Sequence, residues 1–293
     1  MKLKILICSY VFSLLLFGIK AKSQQVHVSQ LLSADLNNRV KQSKLYFPKS
    51  VKRYYAQNGQ QLSWINKKHE KQTFEAMLLL DCVLHYGLAH GDYHPAILTY
   101  DGLQDMLNSP DSVDAVKKVG FDIYLTDALI TLINHLHYGK LNPTFSVKQR
   151  DELKKIKNFD VVNQLQKAIE SIDFLGHIQS AQPKSKAYND LQSYMRLIKG
   201  QYVGDCYEVP ESEVRKIAIN MERLRWRENG TRNFDNLKDV YLTCIIKDGL
   251  PIFYKDTRHL DKALEAAMYN TNQPLTSKIK VIKQLPQIQL KKN

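Results

Sequence analysis

The stretch Phe121-Asp-Ile-Tyr-Leu-Thr-Asp-Ala-Leu-Ile-Thr-Leu-Ile-Asn-His-Leu-His-Tyr138 decides the fold. Phe121, Tyr124, Leu125, Ala128, Leu129, Leu132, Ile133 and Leu136 recur at three and four residues, the repeat of one helical face. Gly139 ends the pattern, because glycine leaves a helix without strain, and Pro143 prevents its resumption.

Outward from this helix the chain reads as further helices joined by short polar breaks. Upstream, Pro48 to Gln57 forms a short helix with Tyr54 and Tyr55 near its end; Asn58-Gly59 stops it, and Trp64 follows in an irregular segment. Phe74 to Tyr86 is the next helix, with Met77, Leu78, Leu80 and Leu84 as its apolar positions and Gly87 as its left-handed cap. Pro95 to Leu107 carries Ile97, Leu98, Leu103 and Leu107 at helical spacing, interrupted by Gly102. Downstream, helices are expected over Val147 to Lys157, Val161 to Phe174, Lys184 to Lys199 and Glu211 to Trp226. Pro183 and Pro210 stand at the start of the last two. Beyond Asn233 the character changes. Val240 to Ile246 and Ile252 to Tyr254 flank Asp248-Gly249 and predict a hairpin. Leu260 to Tyr269 reads as a short helix, and Ile279, Val281 and Leu285 as a last strand among lysines. The expectation is a mainly α chain of many helices followed by a short β segment, with the boundary near Thr231 to Leu237.

The 293 residues are 44% hydrophobic and 24% charged, which excludes a disordered chain, a collagen-like fibre and a disulfide-dense miniprotein. The first 23 residues predict a secretion signal: Lys2 and Lys4, then an uncharged run from Ile5 to Ile19, then Ala21 and Ser23 before a cut at Gln24. The run is short for a bilayer span, although an uncleaved anchor is the alternative. Loss of Lys2, Lys4, Lys20 and Lys22 takes the net charge from +13 to +9, still basic. With export, nucleic acid is not the expected partner. The polyanions at hand are peptidoglycan carboxylates and lipid head groups, and a merely solvated basic surface stands beside them.

No P-loop, dinucleotide fingerprint or GxSxG motif is present. The cysteines form no CxxC pair. His85, His90 and His94 cluster at an expected inter-helix turn rather than on one helical face, and His135 and His137 lie two apart on different faces, so no metal site is predicted. Cys82 and Cys244 read as core residues. Cys206, in the expected loop Gly204-Asp205-Cys206-Tyr207, is the one candidate for a reactive thiol, although Asp205 and Glu208 would raise its pKa.

Five stretches together resemble the large L,D-transpeptidases of Gram-negative bacteria. Tyr55-Ala-Gln-Asn-Gly-Gln-Gln-Leu-Ser-Trp64 resembles the family's opening, and Tyr86-Gly-Leu-Ala-His-Gly-Asp-Tyr-His94 the point where one helix ends in Gly-Leu and the chain restarts after Tyr-His. Leu125-Thr-Asp-Ala128 through Gly139-Lys-Leu-Asn-Pro143 resembles the long helix and its exit. Pro183 with Tyr188 and Leu191 resembles the Pro…Tyr-x-x-Leu segment, and Asn220-Met-Glu-Arg-Leu-Arg-Trp226 the Glu-Arg-x-Arg-Trp helix end. In that family a helical scaffold domain precedes a β-rich domain with a cysteine nucleophile that makes murein cross-links. Here 67 residues follow Trp226, the histidine and Ser-x-Gly-Cys motif of the family does not occur, and no cysteine follows a glycine.

The resemblance implies a signal peptide (1–23), an N-terminal extension (24–45), a helical scaffold domain (46–232) and an incomplete β remnant of a catalytic domain (233–293). It implies a periplasmic protein without transpeptidase activity of its own and without a cofactor, binding peptidoglycan or a cell-wall enzyme. After signal cleavage no transmembrane segment is expected. Trp64, Tyr93, His94, Arg223, Arg225 and Trp226 are the candidate contact residues, for their aromatic or guanidinium chemistry. Trp64 and Trp226 read equally as core anchors. The rival expectation is a cysteine acyltransferase using Cys206 or completed by a second polypeptide.

Overall fold

The computed structural model describes residues 28–42, 44–108, 113–142, 144–152, 156, 158–200, 211–230, 244–247, 250–253 and 268. The signal segment, Cys206, the boundary at 231–237 and the last strand lie outside them. The described chain is mainly α.

Helix α5 (Ala115–Tyr138) is the axis of the molecule. It starts where the Asp114 carboxylate accepts the Val116 amide at 3.2 Å, and ends at Gly139, whose φ of 83° suits a residue without a side chain. The spacing in the sequence predicts one apolar face. The structure instead buries every residue from Val119 to Leu136, polar ones included. A helix enclosed on all sides must satisfy its polar groups internally; Asp122, Thr126 and Asp127 of α5 do so by binding the loops around them, and Asn134 by donating to the helix's own Ile130 carbonyl.

Residues 28–41 form α1, an element the sequence analysis did not anticipate. Its Leu32 and Leu36 enter the core, and Arg39 lies 4.4 Å above the Tyr124 ring of α5. Helix α2 (Pro48–Gln57) has the predicted bounds. Its first amides, Lys49 and Ser50, donate to the Asp151 carboxylate at 3.0 and 2.7 Å, so a side chain from α6 (Val147–Glu152) caps it. Helix α3 (Glu70–Asp81) tightens into a 3-10 turn, Cys82–Tyr86, which closes on Gly87 with φ 65° as predicted.

The inward face of α3 differs from expectation. Met77 and Leu80 are buried, but with them lie Ala76 and Leu79, while Leu78 and Leu84 are 52% and 42% exposed. The 3-10 turn rotates Leu84 and Cys82 away from the α-helical phase. Cys82 is therefore half-exposed rather than a core residue. Burial and then Asp81 push its thiol pKa up, against an opposing effect of Arg196.

Helix α4 (Tyr100–Asn108) starts later than Pro95 because His94 turns the chain with φ 55°. The helix predicted over Val161 to Phe174 is two: α7 (Val161–Ile169) and α8 (Phe174–Gln179), capped by Asp160 and Asp173. Helices α9 (Lys186–Gly200) and α10 (Glu211–Arg225) follow, and α10 runs into a π-turn, Trp226–Gly230. Strands β1 (Cys244–Lys247) and β2 (Leu250–Phe253) pair antiparallel with Lys247 opposite Leu250, and the turn predicted at Asp248-Gly249 lies outside the described residues.

Two apolar cores result. The first surrounds α5 and takes residues from α1 to α4, α7 and α8. The second lies between α9 and α10 and includes Leu141, Tyr188, Ile217, Met221, Trp226 and Met268.

Candidate functional site

The polar residues of α5 organise the first part of the site. The Asp122 carboxylate, fully buried, accepts the amides of Ser63 at 3.0 Å, Trp64 at 2.7 Å and Ile65 at 3.2 Å, and the Tyr55 hydroxyl at 2.6 Å. One turn on, the Thr126 hydroxyl accepts Trp64 Nε1 at 2.9 Å and meets the Tyr55 hydroxyl at 2.9 Å. Burial raises the Asp122 pKa, while these four donors oppose the rise. Trp64 is thereby locked inside, edge-on to Phe174 at 6.1 Å.

Asp127 plays the same part for a second loop. Its carboxylate accepts the amides of Tyr46 and Phe47, both at 2.9 Å, and holds His94 Nε2 at 2.7 Å. The His94 ring lies between Tyr46 and Tyr124, with centroids 5.1 and 4.7 Å away. Burial, with Asp92 and Asp127 adding, pushes the Tyr46 hydroxyl up to about 12. Beside it, the Tyr93 hydroxyl meets His135 Nδ1 at 2.9 Å deep in the fold.

The end of α10 builds the third part. The Arg225 guanidinium is fully buried. It donates to the Tyr86 carbonyl at 2.6 Å and to the Tyr188 hydroxyl at 2.8 Å, and pairs with Glu222 at 3.4 Å. Burial works against its charge, but Tyr188 and Glu222 outweigh that and its pKa is raised. Glu222 also accepts the Leu141 amide at 2.7 Å and Trp226 Nε1 at 2.8 Å. A Cβ on Gly139 would stand 2.6 Å from both Glu222 Oε1 and Trp226 Nε1, and a Cβ on Gly87 would stand 2.8 Å from Ala218 Cβ. Glycine is required at both positions because the loops touch α10 there.

Of the six candidate contact residues, five are buried: Trp64, Tyr93, Arg223, Arg225 and Trp226. The structure brings Arg225 and Trp226 together through Glu222 and sets Tyr93 next to His94 in the chain, whereas Trp64 belongs to the separate Asp122 knot. His94 retains slight access, its side chain being 11% exposed. The sequence analysis passed over Asp122, Asp127 and Glu222, the three carboxylates that tie these side chains down. Their signal was present: Asp122, Thr126 and Asp127 interrupt the apolar run from Val119 to Ile130.

Chemically, these groups position backbone. Each carboxylate is engaged by amides, a guanidinium or an imidazole. Among the described residues no three His, Cys, Asp or Glu side chains are grouped to hold a metal ion, and no helix is long and apolar enough to cross a membrane.

The five stretches that resemble the L,D-transpeptidases are thus one connected system. Tyr55…Trp64 binds α5, Tyr86…His94 binds α5 and α10, Tyr188 binds Arg225, and the α5 exit binds Glu222. No curated protein and no solved structure matches the chain. A family model described as a Scaffold domain matches residues 49–195, from α2 into α9. That match spans half of the chain, which therefore belongs to the Scaffold domain family.

Proposed function

We propose that the chain is an exported envelope protein whose helical body is a scaffold of the L,D-transpeptidase kind. It acts in peptidoglycan binding or remodelling through a partner and carries out no cross-linking itself. One observation supports this most. The residues that resemble the transpeptidase scaffold are consumed in mutual, buried hydrogen bonds, which is what framing a neighbour requires and what binding a substrate does not. Trp64, Arg225 and Trp226 then serve by fixing shape. Cross-linking needs a thiolate, a base and an oxyanion hole, and the sequence contains no Gly-Cys pair to carry over the family's nucleophile. The basic excess and the N-terminal apolar run support placement in the periplasm, among peptidoglycan carboxylates.

The test is incubation of the purified mature protein with tetrapeptide-containing sacculi, read as muropeptides by mass spectrometry. Unchanged muropeptides, together with co-sedimentation of the protein with sacculi or with a transpeptidase, are expected. New cross-links or released terminal D-alanine, abolished by Cys206→Ala, would replace this reading with that of a cysteine acyltransferase.

A further inference from the structure

The outward face of α3 has no part in anything above. With 3.6 residues per turn, Lys71, Phe74, Leu78 and Asp81 fall within about 80° of one another around this helix. They lie away from the buried Thr73, Ala76 and Leu80. Leu78 is half-exposed, Phe74 partly so, and the Lys71 and Asp81 side chains are 66% and 45% exposed. Glu75 stands to one side of this stripe, 3.4 Å from Lys71. A loop extends the stripe at each end. Beside Lys71, whose ammonium lies 3.5 Å from the Ile172 carbonyl, the Ile172 side chain projects almost wholly into solvent. Gln72 Nε2 holds the same loop through the Ser171 carbonyl at 3.3 Å. Beside Asp81, which is 3.5 Å from His90 Nε2, stands Tyr100, exposed and hydrogen-bonded to Asp81, with Ile97 exposed just before it in the chain. Apolar side chains gathered on one outward face mark a contact surface, whereas scattered ones do not.

The stripe reads the same from both ends. Steps of three, four and three residues separate Lys71, Phe74, Leu78 and Asp81, with opposite charges outside and apolar side chains inside. We infer that this face is a homodimer interface, in which α3 lies antiparallel on α3 of a second copy about a two-fold axis. Lys71 then meets the second copy's Asp81 and Phe74 meets the second copy's Leu78, each pair occurring twice. The flanks agree. Ile172 lies at the lysine end and Tyr100 with Ile97 at the aspartate end, so each copy's Ile172 faces the other's Tyr100 and Ile97. A two-fold contact requires such self-complementarity, because one patch must serve both sides. An anionic lipid surface would take the lysine end and repel Asp81.

Sedimentation velocity of the purified mature protein from about 1 to 300 µM tests this, a range suited to an interface of one helix face and two loops. The wild type should pass from monomer to dimer within it. Lys71→Glu and Asp81→Lys each set like charges against one another at both ends of the stripe, and each should raise the dimer Kd at least about tenfold. An equimolar mixture of these two variants pairs the introduced charges at one end and the native Lys71 and Asp81 at the other, so it should dimerise like the wild type. Ile172→Ser should weaken the dimer likewise. All three positions are exposed in the monomer, so the variants should unfold at the wild-type urea midpoint when dilute. A wild type that stays monomeric would overturn the inference, as would a dimer that the variants leave intact or a mixture no tighter than its components. A monomer that floats with vesicles of anionic lipid, and ceases to in Ile172→Ser, would also overturn it and assign the face to a membrane surface. None of these readouts involves peptidoglycan, so failure here leaves the function proposed above standing.

Discussion

His137 shows how an ionisable residue in this fold is tuned by what encloses it. Its ring stacks on Phe159 with centroids 3.7 Å apart and planes 9° apart, and its Nδ1 donates to the Ala181 carbonyl at 2.9 Å. Burial lowers its pKa from 6.5 to about 4, against the pull of that carbonyl. The folded protein therefore keeps His137 neutral where the unfolded chain protonates it. Its contribution is complete above pH 6.5 and is lost as pH falls from 6.5 to 4, by roughly 3 kcal/mol in all. His137→Phe keeps a ring on Phe159 and cannot titrate. It should cost about 1 kcal/mol at pH 7 for the lost hydrogen bond, yet lose less stability than the wild type between pH 7 and 4.5. Urea midpoints at the two pH values check this, and parallel losses in both proteins would show that His137 is not buried neutral. The same logic explains why Arg225 was legible as a candidate contact but not as buried, and why Trp64, which read equally as a core anchor, gave no sign of what holds it. Residue type signals chemistry, while the carboxylates that draw them inward, Asp122 and Glu222, lie 58 and 3 residues away.

At the scale of elements, the long helix α5 was plain from its period, and α2, Gly87 and Gly139 from proline and glycine chemistry. Three things were not plain, each for a physical reason. The break between α7 and α8 contains neither glycine nor proline; it rests on Asp173 capping α8 and on Ile172, which stands 91% exposed. The inward face of α3 differs because Ala76, Leu79 and Leu80 share one side at three- and four-residue spacing and leave Leu78 outside; beyond α3 a 3-10 turn changes the phase of Cys82–Tyr86. Helix α1 was passed over because its few apolar residues sit among polar ones, although Leu32, Leu36 and Val40 have the spacing of a helical stripe. That stripe gives α1 a definite role. Leu32 is fully buried in the first core, and Arg39 closes over Tyr124 while pairing with Asp35 at 2.7 Å. Leu32→Ala should therefore cost about 2–4 kcal/mol although the residue precedes the Scaffold match. A denaturation midpoint equal to the wild type would mean that α1 only rests on the domain.

The whole molecule depends on how two cores are joined. Gly87 against Ala218 and Gly139 against Trp226 bring backbone close to α10, but close approach alone does not bind one core to the other. Arg225 does, because the same guanidinium holds the Tyr86 carbonyl of the first core and the Tyr188 hydroxyl of the second. Arg225→Met has nearly the right length but leaves the Glu222 carboxylate buried without its cation. Breaking a buried pair in this way should cost about 3–5 kcal/mol. Glu222→Gln/Arg225→Met removes the stranded charge and should recover part of that cost, while the tie between the cores stays cut. Stability and coupling thus separate. The chain has two tryptophans, Trp64 in the first core and Trp226 in the second, so each core can report on itself once the other indole is replaced by phenylalanine. With Arg225 present, the two single-tryptophan proteins should unfold at midpoints that differ only by the cost of each replacement. With Glu222→Gln/Arg225→Met added to both, the Trp226 signal should be lost at lower urea than the Trp64 signal, by more than the offset seen before. An unchanged offset would assign the union of the cores to apolar packing along α9 and α10, and reduce Arg225 to a satisfied buried charge.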